Sequence, residues 1–174
     1  MKKSALTFLA LLFCVCSFSQ SQYADKLDKR ISDIEDRIAI KNLVDTFSVL
    51  ADIKDVEKQV LLFTEDASVT SIRNGTSGNA MVGRKQIGDA FSNFLKLFEV
   101  VYHINGQQTI ILNGEKASGI SYCLVTLIGN EGNKKIKTTM GVYYHDEYVK
   151  QKGRWLIAKR QSNFTWTDRR ELGQ

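Results

Sequence analysis

Leu27, Ile31, Ile34 and Ile38 recur at steps of four, three and four, the spacing of a single apolar stripe on a helix. Leu43, Val44, Phe47 and Leu50 extend the stripe after a small phase shift, so one long helix is predicted from Asp25 to about Leu50. Lys26, Asp28, Lys29, Arg30, Asp33, Glu35, Asp36 and Arg37 fill its other side. The first half of this helix reads as a surface helix lying on its own domain. A packing arm or a partner-binding helix is the alternative. A second helix is predicted over Asp55–Phe63, with Asp55 as its N-cap. A short strand follows over Ala67–Ile72, then a loop over residues 73–83 rich in Gly and Asn. Ile87, Phe91, Phe94 and Leu95 place a third helix over Arg84–Phe98.

Beyond residue 100 the pattern changes. Val100–Leu112, Ala117–Ile128, Lys135–Lys150 and Arg154–Thr167 are long runs rich in Val, Ile, Thr, Tyr and Phe. Asn113-Gly114-Glu115, Asn130-Glu131-Gly132-Asn133 and Lys152-Gly153 separate them as hairpin turns, so neighbouring strands should pair antiparallel. The fold class predicted is α+β: three N-terminal helices packed in a strongly curved, mainly antiparallel sheet. Period-two alternation puts His103, Asn105, Gln107 and Thr109 on one face. Gly119, Ser121, Cys123 and Val125 share the next strand's face, and Met140, Val142, Tyr144, Asp146 and Tyr148 the third's. If these faces meet the helices, they wall a mainly apolar pocket with a few polar groups, the make-up of a small-molecule site.

Length and charge narrow the picture. At 174 residues with no Pro, 43% hydrophobic and 25% charged, the chain has room for one globular domain and excludes collagen-like or low-complexity classes. Lys2 and Lys3 followed by the apolar run Ala5–Phe18 read as a signal peptide over residues 1–19, with Ser17 and Ser19 at the cleavage site. Residues 20–174 then form a single domain, with 20–36 a helical extension. The predicted localisation is export, periplasmic or secreted. Lipoprotein anchoring through Cys14 or Cys16 is the rival, disfavoured by Phe13 and Val15, which stand where a small residue usually precedes the attachment site. Cleavage removes two of the 24 basic residues and lowers the formal net charge from +5 to +3. The Lys134–Lys135 and Arg169–Arg170 pairs read as solvated faces, so no nucleic-acid partner is expected, and no membrane contact after leader removal. Cys123 is the one cysteine left, which excludes an internal disulfide and Cys-x-x-Cys zinc sites. No cluster of His, Cys and carboxylates suggests a metal, and no cofactor is expected.

Asp52 and Asp55 stand three apart at the end of the first helix. The cap role accounts for Asp55. Asp52 follows the apolar stripe, so it either turns to solvent or points into the domain, where it needs a partner. His103 is a suitable partner, because imidazole titrates near ~6.5 and a carboxylate orients it and stabilises its cation. The plainer reading is a satisfied structural His and a solvent-facing Asp. His145, opposite in face to Tyr144 and Asp146, is expected to be exposed or at an interface.

The segments Asp36-Arg-Ile-Ala-Ile-Lys-Asn-Leu-Val-Asp-Thr-Phe, Ala51-Asp52-Ile-Lys-Asp55 and Leu62-Phe63-Thr-Glu-Asp66-Ala open a longer pattern. It continues through Gly83-Arg84-Lys-Gln-Ile87, His103-Ile-Asn105, Ala117-Ser-Gly119 and Tyr144-His-Asp146-Glu-Tyr148-Val to Gly153-Arg-Trp155-Leu-Ile157-Ala-Lys-Arg160. In order and spacing these resemble SnoaL-like domains of the nuclear transport factor 2-like superfamily, over about residues 30–168. The resemblance implies a cone-shaped, cystatin-like fold with a pocket between helices and sheet, and frequent homodimers. It is nearest to the scytalone dehydratase and polyketide cyclase subgroup, whose acid–base pair falls on Asp52 and His103. Substrate contacts are then expected from Asn105, Ser121 and Tyr144. The dehydratase's Tyr before the Asp is Ala51 here, and its second strand His falls near Ser121. The function implied is binding of a small, partly apolar molecule, with dehydration, isomerisation or cyclisation by the His–Asp pair. A non-catalytic ligand-binding or protein-interaction module is the alternative.

Overall fold

The computed structural model describes residues 22–173, and the expected leader over residues 1–19 lies outside them. In chain order the elements are α1 (Lys3–Asp52), α2 (Val56–Gln59), a 3₁₀ turn (Val60–Leu62), β1 (Phe63–Arg73), β2 (Thr76–Ser77), β3 (Met81–Val82), α3 (Gly83–Leu95), β4 (Val100–Asn113), β5 (Lys116–Glu131), β6 (Lys134–Gln151) and β7 (Arg154–Glu171). The chain divides into two units, Met1–Ile38 and Ala39–Gln174. In the first, Leu27, Ile31, Ile34 and Ile38 are exposed. Among the described residues no helix is long and apolar enough to cross a membrane.

The second unit holds the sheet, ordered β2-β1-β7-β6-β5-β4, with β3 pairing on β1. The hairpins from β4 to β7 are antiparallel as their short turns require, and β1 joins β7 in parallel. The predicted second helix is real but short, and Asp55 caps it by accepting the Lys58 amide at 3.1 Å. The segment read as a loop over 73–83 contains β2 and β3. Gly83, at φ +79°, makes the corner from β3 into α3, a conformation that Gly adopts without steric cost. Arg84, next in line, grips the Phe63 carbonyl at 2.9 and 2.6 Å and fastens α3 to β1.

Four register shifts bend the sheet. They lie between Asn105 and Gln108 in β4, beside Gly141/Val142, beside Glu147/Tyr148, and between Phe63 and Ser68 in β1. The first corrects one sequence expectation. His103 and Asn105 share the inner face, but the extra residue inverts the phase, so Gln108, Ile110 and Leu112 turn inward in place of Gln107 and Thr109. The inner faces of β5 and β6 follow the predicted alternation.

Two buried clusters fill the concave side. Ile40, Val44 and Phe47 of α1 pack with Phe63, Val69, Ile87 and Ile157 in one. Leu95 of α3 packs with Val101, Val125, Met140 and Tyr144 in the other. Phe47 meets Phe63, Phe91 and Tyr144 edge-on at 5.9–6.2 Å, a geometry that favours the positive ring edge against a negative face.

Candidate active site

Asp52 is the last residue of α1. A carboxylate is electrostatically disfavoured at a helix C-terminus, so the position needs a compensating partner. The chain leaves the helix through Lys54 at φ +59°, and the Lys54 ammonium bonds the Phe98 carbonyl at 2.5 Å. This anchors the helix end beside the start of β4. That strand is the sheet edge, so alternate amides have no strand partner. His103 uses its amide to donate to Asp52 Oδ2 at 3.3 Å, while its ring Nδ1 lies 2.6 Å from Asp52 Oδ1.

This two-point clamp fixes the imidazole. With Nδ1–H donating to the carboxylate, Nε2 is left with its lone pair. The His103 side chain is 9% exposed and that of Asp52 22%. Burial pulls the His103 pKa below its ordinary value. The Asp52 bond and charge act in the opposite direction, and the positive charge of Arg160 adds to the lowering. The net effect keeps the ring neutral at physiological pH, as a general base requires.

His103 lines a cavity of about 260 Å³ between α1, α3 and the sheet. Its walls are mainly Phe47, Ala51, Phe91, Phe94, Leu95, Val125, Leu127 and Met140, with Gln59, Ser71, Arg73, Tyr144 and Ser162 as polar points. Gln59 is buried and donates to the Phe47 carbonyl at 3.1 Å, while its Oε1 has no hydrogen-bond partner. Tyr144 is buried, and desolvation raises its pKa, so it holds its proton. The neighbouring Cys123 thiol is pushed up to about 11, mainly by burial, and is not a thiolate nucleophile.

Behind the cavity sits a residue that the sequence reading did not single out. Arg160 is 1% exposed and forms a bidentate pair with Asp146 at 2.8 and 2.7 Å. Its guanidinium carbon lies 4.2 Å from the centres of both the Phe47 and Tyr144 rings, which line the cavity. Burial opposes its charge, but Asp146 more than offsets this and raises its pKa. Its Nη1 has no hydrogen-bond partner.

The other expected site residues divide. Tyr144 shares the cavity with His103. Asn105 does not line it. Its amide donates to Asp45 at 2.9 Å and accepts from Ser48 at 3.0 Å, which stitches β4 to α1. Ser121 is also outside the lining, and its hydroxyl accepts from Gln108 at 3.0 Å. Burial raises the pKa of the nearby Tyr148, which a hydrogen bond with Ser121 opposes only in small part. Tyr148 in turn donates to Asp146 at 2.9 Å. His145 is exposed on the outer face, with its ring 5.3 Å from that of Tyr143. Among the described residues no group of three or more His, Cys, Asp or Glu is arranged to hold a metal ion.

Comparison with known proteins agrees with this architecture. The SnoaL-like domain matches residues 32–161. A protein from Novosphingobium aromaticivorans DSM 12444, provisionally assigned as a scytalone dehydratase, is 21% identical at a TM-score of 0.69, covering 78% of this chain and 88% of its own. LinA is 22% identical at a TM-score of 0.70, with 82% and 93% covered. An NTF2-like protein with a cystatin-like fold, also from N. aromaticivorans, is 19% identical at a TM-score of 0.63, with 79% and 87% covered. At these identities the likeness is one of fold. No curated protein matches the chain in sequence.

Proposed function

The chain belongs to the SnoaL-like domain family, and from that premise we propose that it is a cofactor-independent lyase acting on a small, partly apolar molecule. The observation that carries this reading is the Asp52–His103 contact at 2.6 Å beside an apolar cavity that His103 lines. Solved structures of the same fold include a protein provisionally assigned as a scytalone dehydratase and one described as a hexachlorocyclohexane dehydrochlorinase, both named for eliminations.

In the proposed reaction His103 Nε2 takes a proton from a substrate carbon. The released C–H pair forms the C=C bond, and the adjacent C–X bond breaks with its electrons on X. Where X is hydroxyl, the imidazolium returns the proton and water leaves. Where X is halide, the proton passes to solvent. Asp52 is a positioning residue, because it fixes the tautomer and stabilises the imidazolium. The Arg160 charge behind the Phe47 and Tyr144 rings favours neutral His103 before transfer and stabilises negative charge developing in the cavity.

The test starts with mass spectrometry of small molecules that co-purify with the protein. These compounds, a panel of β-hydroxy carbonyl compounds and hexachlorocyclohexane are then assayed for elimination. His103→Ala is expected to lower the rate by about 10²–10⁴-fold while the protein stays folded. Binding without turnover in the wild type, or full turnover in the variant, contradicts the lyase reading.

Two further features belong to the proposal. The leader pattern of residues 1–19 supports export. The outer face of β4 and β5, where Tyr102, Ile104 and Tyr122 are all more than half exposed, supports homodimerisation through the sheet. Light scattering of a Tyr122→Lys, Ile104→Lys variant is expected to show monomer where the wild type shows dimer.

A further inference from the structure

The cavity has a second polar wall, away from the dyad. β1 and β7 run parallel there, with Ser71 beside Ser162 and Arg73 beside Phe164. Ser71, Arg73, Ser162 and Phe164 all line the cavity. The Arg73 guanidinium carbon lies 3.5 Å from the centre of the Phe164 ring, a stacking contact that orders a planar cation without neutralising it. Among the described residues Arg73 makes no ion pair or hydrogen bond, and the two serine hydroxyls make none either. Arg73 is exposed, whereas Arg160, the buried arginine near the cavity, is already held by Asp146. No Asp or Glu lines the cavity. Its sole fixed charge is therefore an unneutralised cation beside two free hydroxyls.

From this arrangement we infer that the substrate carries an anionic group, a carboxylate or its like, which Arg73 receives with Ser71 and Ser162 while the apolar body runs toward His103. The inference deepens the proposed function and rests on the same cavity. Arg73 and His103 lie on opposite walls. Four strand-to-strand steps separate β1 from β4, roughly 20 Å around the sheet and less across its concave side. An acid whose apolar body bridges that interval places its reacting carbon near the imidazole and its charge near the guanidinium. A guanidinium fork matches a carboxylate in two parallel bonds, and hydroxyl donors complete the shell. In this reading Arg73 sets specificity and takes no part in the bond-breaking step.

The experiment is isothermal titration of the purified protein with 2-naphthoate and with its neutral counterpart 2-naphthamide. The wild type is expected to bind the carboxylate about tenfold more tightly than the amide, the worth of one charge-assisted contact. Arg73→Ala is expected to abolish that preference and leave amide affinity within about threefold. Arg73→Lys is expected to restore part of it, because the charge returns without the fork. His103→Ala and Asp52→Asn are expected to keep the preference, so this inference and the lyase reading fail separately. Equal binding of the two compounds by the wild type, an unchanged preference in Arg73→Ala, or no binding of either compound overturns it.

Discussion

Two aspartates meet basic side chains inside the second unit, and the two places differ in almost every property that governs reactivity. Asp146 is 2% exposed and accepts two bonds from Arg160 and one from Tyr148, each between 2.7 and 2.9 Å. Its partner keeps its proton at any physiological pH. That region fixes a charge and holds β6 to β7. Asp52 lies near a cavity wall and accepts from a His103 ring whose pKa is lowered mainly by burial. One nitrogen of that ring stays uncommitted. A buried bidentate pair whose cation keeps its proton resists change, while a pair with a titratable member and one uncommitted ring nitrogen can move a proton. The first region gives the site its electrostatic background, and the second gives it chemistry.

The largest effect should come from breaking the deeper pair. Arg160→Ala or Asp146→Ala leaves a buried charge uncompensated and is expected to lower the free energy of unfolding by about 3–5 kcal/mol in urea titrations. The joint Asp146→Leu, Arg160→Met change is expected to recover much of that loss, because both charges go together. If the single changes cost no more than about 0.5 kcal/mol, the typical surface value, the pair is not the clamp described.

A smaller effect should follow at the dyad. Asp52→Asn removes the group that opposes the lowering of the His103 pKa. The acidic limb of the kcat/KM profile should therefore move to lower pH as kcat falls, a split that a purely structural role would not produce. An unmoved limb would mean that Asp52 does not act through the imidazole.

The smallest effect concerns stability against pH. The folded His103 pKa lies below the unfolded value of ~6.5. As pH falls, the unfolded chain takes up this proton first. The stability contributed by neutral His103 is therefore complete above about 6.5 and is lost as pH drops toward the lowered native value. The pH slope of stability in that window should flatten in His103→Gln relative to the wild type. An identical slope would place the native pKa at its ordinary position.

The contrast also explains what the sequence disclosed. Helix stripes, hairpin turns and alternation gave the three helices, the antiparallel pairing and the inner faces of β5 and β6, because these depend on local periodicity. Bulges carry no comparable signal. The one between Asn105 and Gln108 turned Gln107 and Thr109 away from the face expected of them. The one beside Glu147/Tyr148 matters more. The turn pairs Gln151 with Arg154, and an unbroken register from there would set Asp146 opposite Lys159. The bulge brings Arg160 opposite instead. The inward Asp146 was itself a signal, since a buried carboxylate demands a cation from the neighbouring strand. Asp52 and His103 were legible as residue types at the right elements, but their contact depends on the edge position of β4 and the exit turn at Lys54. Arg73 lay in a segment read as the start of a loop, and its stacking on Phe164 arises from the parallel β1–β7 pairing.

The central claim is that Asp52 holds His103 as a neutral ring with Nδ1 protonated and Nε2 bare. Nitrogen NMR of the imidazole in uniformly ¹⁵N-labelled protein near pH 7, with His103 assigned through His145→Gln, reads that state without any substrate. The account predicts a protonated Nδ1 and an unprotonated Nε2, with Asp52→Asn disturbing that tautomer. An Nε2-protonated ring, or an imidazolium at neutral pH, would contradict it.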